Sequence, residues 1–351
     1  MKIVLALALL GASALAATEL QASPFIAAAD SRFGATIEGA AVDRAGSIYA
    51  VDFDSSAAQA GLVTGKQRLL FKAPGADALV NGIRFATDKL GAEEAYVVDA
   101  AQHQVYRLTG RQGADGTFAG ANVFCKDSAM LQPNDIAIAP SSGRIFLSGM
   151  NYTSDSVVGN GDLWTCDPTG AAQRLGQFHR TNGIEVSPDE TRLYLSEAEN
   201  KGGAVVANRV LAFDLDPASG AVANKRVFVD FGKLDSTAAA DIDGMRTDVN
   251  GNLYVTRNGI GKVAVFDPSG QLTAYITTPS IDSVTNLEFG GPKGTDLFIV
   301  GKCKADGTKG CVDVYHGTAV GNAFHDLGSS SGAGSVPPAG CGKTGGRRRR
   351  R

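Results

Sequence analysis

Apolar residues in this chain fall into short runs of about five or six, each cut off by Gly, Asp, Asn or Pro. Within the runs the pattern alternates or is continuously apolar, which predicts β-strands rather than helices. One unit recurs six times: a polar residue, usually followed by Gly, then an apolar strand, a turn and a second strand. The first copy is Ile37-Glu38-Gly39-Ala40-Ala41-Val42, turning at Ala45-Gly46 into Ser47-Ile48-Tyr49-Ala50-Val51. The others begin at Val80-Asn81-Gly82, Pro133-Asn134-Asp135, Thr181-Asn182-Gly183, Ile242-Asp243-Gly244 and Thr285-Asn286-Leu287.

The six polar positions lie about 43 to 61 residues apart, and about 40 to 50 residues build one four-stranded propeller blade. Val105–Leu108, Val210–Phe213, Val227–Val229 and Val263–Phe266 supply outer strands. The expectation is an all-β, six-bladed β-propeller of four-stranded antiparallel blades around a central metal-binding channel. A closed ring leaves no long open edge. Closure asks the segment around Phe25 to Phe33 to add a strand beside Cys311–Tyr315.

Equivalent positions in a radial repeat point the same way, so Glu38, Asn81, Asn134, Asn182, Asp243 and Asn286 are expected at one end of the channel. As turn formers, Asn and Asp bond their own backbone, but Glu38 fits that role poorly. Carboxylates and amide carbonyls make a hard, all-oxygen donor set suited to one divalent ion, Ca²⁺ before Zn²⁺, Mn²⁺ or Mg²⁺. The four histidines do not cluster. His179, three residues before Asn182, is a candidate for the channel lining.

Composition adds the setting. The chain has 351 residues, 44% of them hydrophobic, with a formal net charge of −3. That balance gives the folded domain no general field for nucleic acid or anionic membrane. Met1-Lys2, the apolar run to Ala12 and Ala14-Leu15-Ala16-Ala17 read as a signal peptide over residues 1–17, cut near Ala16 or Ala17. Export makes the five cysteines candidates for disulfides, with Cys303 pairing Cys311, Cys125 pairing Cys166, and Cys341 left over. Asn151-Tyr152-Thr153 is a glycosylation sequon. Residues 18–328 make the propeller. Residues 329–351, rich in Gly, Ser and Pro and ending in five arginines, read as a solvated tail or a polyanion-binding one.

Glu38-Gly39, Pro133-Asn134-Asp135 with Gly149-Met150, Thr181-Asn182-Gly183 and Asp243-Gly244-Met245, followed by Asn252-Leu253-Tyr254-Val255, occur in this order and spacing. In them the chain resembles the senescence-marker-protein, gluconolactonase and diisopropylfluorophosphatase-like propellers over about Phe33 to Val300. The resemblance implies a catalytic metal on Glu38, Asn134, Asn182 and Asp243, and hydrolysis of lactones or related esters. It implies Asp243 as general base or nucleophile. Leu131-Gln132-Pro133 replaces the sugar-contacting arginine of the animal gluconolactonases, which leaves the substrate open. The expectation is a secreted monomer acting on a small-molecule lactone or ester. The alternatives are a non-catalytic, Ca²⁺-stabilised propeller that binds a ligand or partner, and a metal-free enzyme resembling strictosidine synthase.

Overall fold

The computed structural model describes residues 17–52, 59–75, 77–112 and 117–329. The body of the signal segment, the arginine run and Cys341 lie outside the described residues. Six sheets succeed one another along the chain, and each runs from an inner to an outer strand in sequence order, apart from the N-terminal strands added to the outside of the last two. The innermost strands are Ile37–Val42, Val80–Thr87, Gln132–Ala139, Arg180–Val186, Met245–Thr247 and Ile281–Gly290. Each packs on the innermost strand of the next blade, and the last packs on the first, so the ring closes. The fold is a six-bladed β-propeller of four-stranded antiparallel blades, as the repeat predicts.

Burial follows from position in the blade. Second strands such as Ile48–Asp52 and third strands such as Gly161–Cys166 are buried at every residue, because a neighbouring blade covers each face. Fourth strands such as Ala172–Phe178 are largely exposed or half-buried. The core is accordingly a series of apolar clusters between adjacent sheets, for example Phe146, Leu163, Ile184, Leu195 and Phe213.

The N-terminus closes the ring. Ser23–Ile26 pairs antiparallel with Gly310–His316 and supplies the outer strand of blade 6, with Ile26 opposite Val312. This strand starts two residues before the expected segment. Upstream, Thr18–Gln21 pairs in parallel with Leu272–Thr277, giving blade 5 a fifth strand that the repeat does not foreshadow. A helix, Asn322–Ser329, follows the last blade and covers the channel end beside Arg84 and Glu185.

The cysteine pairs fall as expected. Cys125 and Cys166 have Cα atoms 6.3 Å apart and Cys303 and Cys311 4.9 Å apart, both within disulfide range. The first pair joins residues separated by 41 positions, the second by 8. Loop-closure entropy makes the longer link worth about 4 kcal/mol and the shorter about 2.5 kcal/mol. Replacing Cys125 and Cys166 together by Ala should therefore lower urea-unfolding stability more than the same change at Cys303 and Cys311.

Candidate metal site at the channel mouth

The repeated polar residues sit where the innermost strands are irregular. The register slips between Glu38 and Ala40, Val80 and Ile83, Pro133 and Ile136, and Thr181 and Ile184. Such a bulge opposes two residues to one and turns a side chain away from the ladder. The glycine of the motif belongs to this device and not to a turn. None of Gly39, Gly82, Gly183 and Gly244 has left-handed backbone. A Cβ on Gly39 would lie 2.3 Å from the Asn81 carbonyl oxygen, and one on Gly183 would lie 2.1 Å from that of Asp243. Glycine is there so that adjacent blades can approach at the channel.

Blade 6 departs from the repeat by one residue. Its register slips between Val284 and Asn286, and Leu287 stands opposite Ile299 as Ile184 stands opposite Leu195. Thr285 therefore holds the place equivalent to Asn182, and Asn286 the place of Gly183. Asp135 holds that second place in blade 3. Both side chains accept from the next backbone N–H, Leu287 to Asn286 and Ile136 to Asp135, each at 2.9 Å. Asn286 is buried, with its amide where a Cβ on Gly244 would fall.

Asp243 and Asn182 are brought together. Their backbone N–H groups are fixed alike, Asp243 on Thr256 Oγ1 at 2.9 Å and Asn182 on Ser196 Oγ at 3.0 Å. The side chains of Asn182 and Asn258 both donate to the Asp243 carboxylate, Asn258 at 3.1 Å. Burial, then the nearby Asp241 carboxylate, push the Asp243 acid up to about 7. Glu38 is raised well above the usual carboxylate range by burial and then by the charges of Asp243 and Asp135. Two half-buried carboxylates from blades 1 and 5 thus lie close enough for the charge of Asp243 to raise Glu38. Asn134 and Asn81 are buried on the neighbouring inner strands.

One atom tests whether a cation suits this space. The Asn182 carbonyl oxygen is buried without a hydrogen-bond partner, although its amide group donates to Asp243. A buried acceptor without a partner is costly, and a hard cation beside two carboxylates would satisfy it. The residues therefore fit a divalent ion on Glu38, Asn134, Asn182 and Asp243. Among the described residues no three His, Cys, Asp or Glu side chains are spaced to hold a metal, so the amides are needed as ligands.

His179 is half-buried between the outer strand of blade 3 and the inner strand of blade 4. Its Nδ1 lies 3.3 Å from Ser156 Oγ in the loop before Gly161. Arg180 carries the charge beside the site. Its side chain is 3% exposed and paired with Asp241, and it lies 5.3 Å from the Tyr152 ring centre. Asn208 Nδ2 donates to the other Asp241 oxygen at 2.8 Å. Asn151 is exposed beside this loop.

Beneath the mouth lies a buried charge cluster that the repeat does not reveal. Arg84 and Arg246 face Asp135, Glu185 and Glu288. Burial dominates at Glu185 and pushes its acid up to about 7 against the pull of both arginines. A carboxyl whose folded pKa is raised contributes stability at low pH that is lost as pH rises through that value. Unfolding in chelator should show Glu185→Gln losing less stability than the wild type between pH 4.5 and 7.5.

The profile of the family described as SMP-30/Gluconolactonase/LRE-like region matches residues 36–302. The chain belongs to this family. Gluconolactonase of Zymomonas mobilis is 26% identical over 176 residues, 48% of this chain and 47% of that protein. Rabbit (Oryctolagus cuniculus) regucalcin is 27% identical over 187 residues, 52% of this chain and 58% of that protein. The chain thus spans about half the length of the curated relatives it matches. A calcium-binding protein, regucalcin, from Agrobacterium tumefaciens superposes with TM-score 0.68 at 18% identity, covering 87% of this chain and 97% of its own. A gluconolactonase from Xanthomonas campestris gives 0.58 at 22%, covering 87% and 99%. At these identities the structures establish the fold.

Proposed function

We propose that the chain is a metal-dependent hydrolase of lactones or related esters, with its site at the channel mouth. The observation that carries this reading is the pairing of the half-buried Glu38 and Asp243 carboxylates, both raised, beside the unpartnered Asn182 oxygen. The gluconolactonase relative supports the reaction class. The calcium-binding regucalcin neighbour supports a divalent ion, Ca²⁺ first. A divalent ion held by Glu38, Asn134, Asn182 and Asp243 would polarise the ester carbonyl and stabilise the oxyanion that forms on it.

The chain's own groups supply the remainder. Asn258 and Asn182 orient the Asp243 carboxylate, which faces the substrate carbonyl as base for water or as direct nucleophile. Arg180, fixed by Asp241, sets a positive charge nearby. The disulfide-compatible cysteines accord with export, and among the described residues no helix is long and apolar enough to cross a membrane.

A panel of sugar lactones, alkyl lactones and aryl esters, assayed with and without chelator, tests the proposal. Chelator-sensitive hydrolysis of at least one lactone is the expected result. Chelator-sensitive stability without turnover on any of them would select the binding-propeller alternative instead.

A further inference from the structure

Arg246, in blade 5, is 1% exposed and faces groups from blades 1, 3, 4 and 6. It stands in the inner strand Met245–Thr247, three residues beyond the Asp243 carboxylate. Its Nη2 donates to the Ala40 carbonyl at 2.7 Å, on the Glu38 strand. Its Nη1 lies 3.5 Å from Asp135 Oδ2, next to Asn134, and 3.9 Å from Glu185 Oε2, on the Asn182 strand. Its Nε donates to Glu288 of blade 6 at 3.0 Å. Arg84 adds blade 2, reaching Ala40 O at 3.2 Å and Glu185 at 3.3 Å.

We infer that Arg246 is a positioning residue for the channel-mouth site, holding the four ligand-bearing strands at the spacing one ion requires. This rests on the metal reading above. The reason is geometric. A planar guanidinium with five donors can address several strands at fixed angles, whereas an ammonium is a flexible point charge. Asp135 accepts from Ile136 N–H at 2.9 Å with one oxygen and turns the other, which has no hydrogen-bond partner, toward Arg246 Nη1 3.5 Å away. No other side chain in the cluster reaches the strands of all four proposed ligands. A hard ion in an all-oxygen site is sensitive to ligand placement, so loosening this tie should weaken binding before it unfolds the ring.

The test is Mn²⁺ binding to the chelator-stripped full-length protein, read from the paramagnetic resonance signal of free Mn²⁺. The wild type should bind one ion per chain, and Arg246→Lys should bind at least tenfold more weakly with an unchanged circular dichroism spectrum. Leu108→Ala removes a buried side chain from the third strand of blade 2. It should lower the melting temperature yet keep Mn²⁺ affinity within twofold of wild type. If Arg246→Lys does not fold, Arg84→Lys takes its place, with a smaller loss of at least threefold expected. Affinity within twofold of wild type in a folded arginine variant would overturn the positioning role. So would an equal loss in Leu108→Ala. A wild type that binds no Mn²⁺ would instead overturn the metal reading on which the inference stands.

Discussion

Asp243→Ala is expected to lower kcat/KM for a lactone by at least about a thousandfold, roughly 4 kcal/mol of transition-state stabilisation. The circular dichroism spectrum should not change. The size follows from the number of proposed roles lost together: a metal-ligand oxygen, the carboxylate for proton transfer or attack, and the acceptor for Asn182 and Asn258. Groups acting as a unit do not contribute additively, so Asn182→Ala should cost less but in the same direction. Folding should survive because the carboxylate is destabilised by burial and by Asp241, and its removal relieves a buried like charge. Steady-state kinetics on both variants checks this. Turnover by Asp243→Ala at the native rate would remove Asp243 from the mechanism.

Gly183→Ala should be the most destabilising single-methyl addition on the inner ring, at about 3 kcal/mol. The new Cβ would stand 2.1 Å from the Asp243 carbonyl oxygen and 3.2 Å from the Gly244 carbonyl carbon. Neither neighbour is the end of a flexible side chain, so relief requires blades 4 and 5 to part. That displacement falls on the segment carrying Asp243. Thermal unfolding should therefore shift down by at least about 5 °C, and metal affinity should fall with it. Gly307→Ala controls for the substitution itself, since its backbone is not left-handed and a Cβ there meets nothing within 4 Å. A melting temperature unchanged in Gly183→Ala would mean that the blades are not pressed together at this point.

The ring was legible because each blade repeats the same buried second strand and the same polar residue before it. The row of polar residues from which the proposed ligands are drawn was legible for the same reason, while the choice of four among the six came from the family resemblance. What escaped the pattern lies between its repeats. Nothing in Val284-Thr285-Asn286 marks the bulge as starting one residue earlier than in Thr181-Asn182-Gly183, because a one-residue slip alters pairing and not composition. Three residues after the motif's polar residue stand Ala41, Arg84, Ala137, Glu185 and Arg246. They share no chemistry, so the buried charge cluster produced no repeat signal. Its available signal was charge inside otherwise apolar inner strands. Arg180 and Asn258 follow the same logic, since Arg180 acts through a contact from blade 4 to Asp241 of blade 5, and Asn258 through the pairing that folds blade 5 back onto Asp243. The Asn-Gly and Asp-Gly pairs suggest turns in isolation, yet the backbone shows close approach instead.

The account stands on one divalent ion at the channel mouth that drives ester hydrolysis. Its most direct test is to strip the protein with chelator, remove the chelator, and titrate Ca²⁺ back while following hydrolysis of a lactone substrate. The account predicts an inactive stripped protein whose rate rises linearly and levels off at one ion per chain. Full activity in the stripped protein, verified metal-free by elemental analysis, would contradict it.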